Sequence, residues 1–291
     1  MRRKTPWRKP VWPWLTALFF ISLLLGGVLL PRTGLQRCYE QGELILATTL
    51  PEVGAVTAAS DIPSENSPAT QVLAGEESIL VLPAKQEESE EPVEPSGEPQ
   101  AVIYCTHTSE NYSGEKRVNG KPGGVTKAAQ ALAEGLEARG IAVIFDDSIH
   151  DNPYDEAYAS SLATICAINE QYPDIELYID IHRDSAIAGV NTHLTNENGS
   201  YAKMMLVIGT DEKYEHPNWQ KNFDFSQDVY AELEDLQPGI AREPRTSSNR
   251  YNQQIAAKAI LVEIGSDDNS VEEAIRSAGI LAEALCNVMG W

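Results

Sequence analysis

Positive charge is what this chain has least of. Lysine and arginine total 22 against 43 aspartates and glutamates, a formal net charge of -21 over 291 residues. That excludes a nucleic-acid binder, which needs a basic face to neutralise phosphates. Cysteine is scarce as well: Cys38, Cys105, Cys166 and Cys286 are the four present. None has the close spacing of a redox CxxC or a zinc ribbon. Cys105, Cys166 and Cys286 lie in apolar runs and are expected to be small buried hydrophobes. No G-x-S-x-G elbow occurs, so a serine nucleophile at Ser109 or Ser185 working with His182 lacks its usual turn.

Long hydrophobic runs are absent but for one. Residues 11–30, VWPWLTALFFISLLLGGVLL, are uncharged and number twenty, enough to span a bilayer as a helix. Trp7, Trp12 and Trp14 gather at its start, where aromatic rings favour the headgroup level. Arg2, Arg3, Lys4, Arg8 and Lys9 precede it, which sets residues 1–10 in the cytoplasm and everything after the span outside. A cleaved signal peptide is the alternative, but the apolar region is long and Pro31-Arg32-Thr33 is a poor cleavage site. Residues 31–100 are then expected to be an extracytoplasmic linker. Its acidic stretch QEESEEPVEPSGEP, residues 86–99, has too little apolar surface to offset its ordering entropy.

From residue 101 the texture changes. Apolar runs at 101–105, 141–145, 176–181, 204–208 and 259–264 read as buried strands. Helical periodicity appears at 125–139, 155–171, 220–236 and 270–289, with a Ser/Arg/Asn-rich loop at 242–254. This alternation predicts an α/β domain over 101–291, a mostly parallel sheet of about five to six strands with helices on both faces.

Three of the expected strands run into ionisable residues: the first into Thr106-His107-Thr108-Ser109-Glu110, the third into His182-Arg183-Asp184, and the fifth carries Glu263. Carboxyl ends of parallel strands share one sheet edge, where α/β proteins bind ligands. His107, Glu110, His182 and Glu263 would meet there. Two histidines, a carboxylate ligand and a free carboxylate are the usual kit of a hydrolytic zinc site. The plainer alternatives are a salt-bridged surface His182, a Glu263 paired with Arg183 or Arg242, and a His150 that only caps a turn. His193 and His216 lie in polar excursions and are expected to be solvated.

The segments YCTHTSENY (104–112), IHD (149–151), YPD (172–174), IDIHRDS (179–185), YNQ (251–253) and LVEIG (261–265) with Asn269 resemble the stage II sporulation protein P family. These are membrane-anchored cell-wall hydrolases of endospore formers. A more distant similarity is to zinc N-acetylmuramoyl-L-alanine amidases. The resemblance implies a zinc amidase-like fold and Zn2+-dependent cleavage of the N-acetylmuramoyl-L-alanine bond in peptidoglycan, with cleavage of stem-peptide cross-links besides. It implies septal wall thinning during engulfment, with stage II sporulation proteins D and M as partners. His107 and His182 match the metal histidines and Glu263 the catalytic glutamate. The third ligand is open between Glu110 and His150, because no acid stands about fifteen residues past His107, where the wider amidase group has one. Arg183 and Asn252 are the candidate substrate contacts, with a pairing of Arg183 to Asp184 or Glu263 as its alternative. Cys105 stands where the family pattern leads us to expect a histidine. A wall-binding or scaffolding domain that has lost catalysis is therefore the competing reading.

Overall fold

The computed structural model describes residues 97–291. The expected membrane span and nearly all of the expected linker lie outside the described residues. No helix among the described residues is long and apolar enough to cross a membrane.

Strand β1 (Ala101–Tyr104) opens the domain and is wholly buried. It is followed by α1 (Gly124–Glu137), β2 (Val143–Phe145), a 3-10 turn at Tyr154–Glu156, α2 (Ala157–Gln171) and β3 (Leu177–Asp184). A small antiparallel hairpin, β4 (His193–Asn196) and β5 (Gly199–Ala202), precedes β6 (Met204–Gly209). Then come α3 (Trp219–Leu236), β7 (Ala241–Ser247), β8 (Ala259–Ser266) and α4 (Val271–Met289). The main sheet has six strands in the order β2-β1-β3-β8-β6-β7. β2, β1, β3 and β8 are parallel, while β6 runs antiparallel to β8 and carries β7 parallel to itself. The fold is therefore α/β with a mostly parallel sheet.

Alternate residues of each strand face opposite sides. Ala101, Ile103, Leu177, Ile179, Ile260 and Val262 point into the large core with α1, α3 and α4. Val102, Tyr104 and Tyr178 point the other way and meet Leu162, Ile165 and Cys166 of α2. α2 covers only the β1–β3 half of that face. Over β8 and β6 the apolar patch is small, Met205, Val207 and Leu261, with Tyr251 packed against it from a loop. The site occupies the strip that α2 leaves open.

Three features depart from the sequence expectation. β3 continues to Asp184, so His182 stands within the strand rather than beyond it. The polar stretch after it folds partly into the β4–β5 hairpin. Residues 242–247, expected as the start of a loop, belong to the edge strand β7. Charged residues and Pro244 disguise it, and an edge strand tolerates both.

Candidate active site

β1, β3 and β8 are adjacent and parallel, so their carboxyl ends coincide. His182 and Glu263 are direct partners in the β3–β8 ladder. His107 leaves β1 in a tight turn closed by the Glu110 amide, which donates to the His107 carbonyl at 3.1 Å. Gly123 holds the same turn from outside, its amide donating to the Thr108 carbonyl at 2.8 Å. A Cβ at Gly123 would lie 2.0 Å from the Glu110 carbonyl oxygen, so only glycine allows this approach. The result is a cleft of about 180 Å3 whose lining includes His107, Glu110, His182 and Glu263, with Tyr158, Tyr251 and Arg245 beyond them.

His182 is held between two carboxylates. Its Nδ1 is 3.6 Å from Glu110 Oε2, and its Nε2 is 3.0 Å from Asp180 Oδ1 without the alignment of a hydrogen bond. Asp180 is almost fully buried and is fixed by the Thr106 amide at 2.8 Å and the Thr106 hydroxyl at 2.6 Å. Burial pulls the His182 pKa down, but Asp180 and Glu110 outweigh it and raise it well above the ordinary value. Glu110 Oε2 also accepts from the Arg183 amide at 3.2 Å. Burial opposes its charge, yet His182, His107 and that amide bring its pKa below normal. His107 goes the other way: burial and the nearby His182 lower it. Its ring stacks on Tyr154 at 4.3 Å between centroids, and the Arg117 guanidinium lies 4.1 Å from the centroid of the Tyr154 ring.

Glu263 is pushed up to about 7, chiefly by burial. Its Oε2 is buried without a hydrogen-bond partner, and so is His107 Nδ1. Unpaired buried polar atoms are costly, and with His182 Nε2 three of them line one cleft. The donor types His107, His182 and Glu110 suit an N/O-liganded divalent ion. As they stand, no three histidines, cysteines or acids among the described residues are grouped tightly enough to enclose one. The His107 and His182 ring centroids are 5.4 Å apart.

A family model for stage II sporulation protein P matches residues 54–286. The chain belongs to the stage II sporulation protein P family. It is 25% identical over 259 residues to "Stage II sporulation protein P" of Bacillus subtilis (strain 168), covering 80% of this chain and 63% of that protein. Among solved structures, the family member is similar to N-acetylmuramoyl-L-alanine amidase AmiC2 of Nostoc punctiforme, with TM-score 0.45 and 14% identity over 67% of this chain and 99% of that one. It is also similar to the CwlD amidase of Clostridioides difficile, solved with the GerS lipoprotein, with TM-score 0.43 and 12% identity over 66% of this chain and 98% of that one.

The remaining expected residues fall differently. His150 is buried outside the cleft, with Nδ1 2.9 Å from the Cys105 carbonyl and Nε2 3.0 Å from the Thr164 hydroxyl. Both ring nitrogens are thus engaged, and between the two candidate third ligands only Glu110 reaches the cleft. Asn252 is also buried away from it, its amide donating to the Tyr158 carbonyl at 2.8 Å and the Ser161 hydroxyl at 3.0 Å. It steadies α2 beneath the site. Arg183 lines the cleft, but its Nε donates to the Asn111 carbonyl at 2.9 Å. Cys105 points into the large core beneath α1, where burial raises its thiol pKa. His216, expected to be solvated, is buried and lies 3.3 Å from the Asn222 amide nitrogen. Sequence reasoning missed Tyr158, Tyr251 and Arg245. The cis bond preceding Pro153, in the turn leading to Tyr154, carried no sequence signal either.

Proposed function

We propose that this stage II sporulation protein P family member is a peptidoglycan hydrolase that cleaves the N-acetylmuramoyl-L-alanine amide bond with the help of zinc. One observation carries the reading: a carboxyl, Glu263, sits partnerless and near pKa 7 in a cleft shared with two histidines and Glu110. A general base is most effective when its pKa lies near the working pH.

In this proposal His107, His182 and Glu110 would hold the ion. Zinc, when bound, supplies a Lewis acid and a more acidic water. Asp180, 3.0 Å from His182 Nε2, leaves Nδ1 on the side of Glu110, and a carboxylate in that place would orient the ring for an ion. Glu263 takes the proton from the attacking water at its bare Oε2 and returns it to the leaving nitrogen. The peptide cross-links are a second candidate substrate for the same residues. We further propose that residues 11–30 anchor the chain in the cell membrane and 31–100 tether an extracytoplasmic 101–291, with stage II sporulation proteins D and M as its partners in septal wall thinning.

The test is direct. The purified chain, incubated with peptidoglycan, should release new alanine amino groups; chelation should stop release and added zinc restore it. Glu263→Gln should cut turnover by about 10²- to 10⁴-fold, the usual weight of a general base. Turnover that survives both treatments overturns the proposal. A chain that pellets with peptidoglycan and releases nothing is instead the wall-binding domain.

A further inference from the structure

Two arginines, Arg183 and Arg245, line the cleft, and a third, Arg242, pairs with the lining residue Asp184. Arg242 donates to Asp184 Oδ2 at 2.8 Å, and Arg183 is turned to the Asn111 carbonyl and, at 3.4 Å, to that of Asp184. Both are committed within the fold. Arg245 differs. It lies on β7, lines the cleft, is exposed, and has no hydrogen-bond or ion-pair partner among the described residues. Its charge is nevertheless felt at Glu263.

The register places it. Arg245 pairs with Val207 of β6, and Val207 pairs with Leu261 of β8, two residues before Glu263. Paired residues share a sheet face, and Val207 and Leu261 form the apolar floor of the cleft. A ligand reacting at Glu263 and lying across the strands meets that floor first and then a free guanidinium. β7 is two strand spacings from β8, about 10 Å, which an extended peptide covers in about three residues.

We infer that Arg245, not Arg183, binds a carboxylate of the peptide portion of the substrate, up to about three residues from the scissile bond. The inference rests on the hydrolase proposal. It adds a specificity contact, a preference for a peptide with an anionic group within about three residues of the reacting bond. An unpaired guanidinium offers the bidentate geometry a carboxylate needs. Tyr251, whose hydroxyl donates to Ser247 at 2.8 Å, closes the side of the floor.

The experiment compares two N-acetylmuramoyl peptides of one sequence, one with free carboxylates and one with all of them amidated. Calorimetric affinity and steady-state kinetics are both measured on the full chain. The wild type should bind the free acid roughly 10- to 100-fold more tightly than the amide, the weight of a charge-assisted hydrogen bond. Arg245→Ala should raise KM for the free acid by that factor, leave kcat nearly unchanged, and not alter the amidated ligand. Arg245→Lys, which keeps charge without the fork, should recover part of the loss and serves if the alanine variant is misfolded. Equal weakening of both ligands, or of neither, overturns the inference, as does loss of the preference in Arg183→Ala alone. If the wild type binds the two ligands differently but cleaves neither, the hydrolase proposal fails while the carboxylate site stands.

Discussion

Glu263 is a residue placed against the interest of the fold. Burial raises its pKa to about 7, whereas an unfolded glutamate ionises near 4.3. A carboxyl whose folded pKa is raised destabilises the native state once pH exceeds the unfolded value. The penalty grows until the folded pKa is reached and stays constant above it. In metal-free protein, Glu263→Gln should therefore melt a few degrees higher than the wild type at pH 8. The gap should close as pH falls below about 4.3. Calorimetric melts across that range check it, and a glutamine variant that melts lower at pH 8 would show that the carboxylate is paired. The same scale shows what the chain alone discloses. His107, Glu110, His182 and Glu263 are legible because each follows or ends an apolar run. Arg245 and Tyr158 are not, since no short-range pattern distinguishes a free arginine from a paired one, or a helix residue that faces a cleft from one that faces core.

At the scale of elements, α4 is the best-specified helix. Ser270 accepts from the Glu273 amide at 3.2 Å, and Glu273 Oε2 accepts from the Ser270 amide at 2.9 Å, a complete capping box. Glu273 also reaches His193 Nδ1 at 3.0 Å and Asn269 Nδ2 at 3.1 Å, joining the helix to the β4–β5 hairpin. Burial opposes the charge of Glu273, but these contacts hold its pKa below normal. A depressed carboxyl contributes stability above the unfolded pKa, and that share disappears as pH falls through the folded value. Glu273→Ala should cost about 1 kcal/mol at pH 7, the usual weight of a cap, and less at pH 3, as urea unfolding at the two pH values would reveal. An unchanged difference at pH 3 would mean that packing, not charge, supplies the effect. The sequence makes α4 plain because periodicity and first-turn acids agree. It hides β4, β5 and β7 because their residues are polar and half-exposed, so alternation carries little contrast. The reversal of β6 is hidden for another reason: strand direction depends on how the chain returns, and no residue of MMLVIG encodes it.

Across the whole molecule, apolar burial is lopsided. The α1, α3 and α4 layer packs one face of the sheet, while α2 covers half of the other. All of this lies in residues 97–291, so those residues should stay in solution without detergent once 1–96 are removed. The full chain should sediment with membranes through residues 11–30, the one run of sufficient length. Fractionation of the two forms tests the proposed anchor; a full chain found in the soluble fraction would exclude it.

The half-covered face has an evolutionary consequence. Those cleft side chains that stand on β3, β6, β7 and β8 belong to a sheet whose other face is already locked under three helices. Substitutions on the open side leave that packing intact, so lineages can alter what the cleft accepts without first finding a compensating change in the core. Loss of the proposed activity can be equally silent, leaving a relative that is well folded but inert.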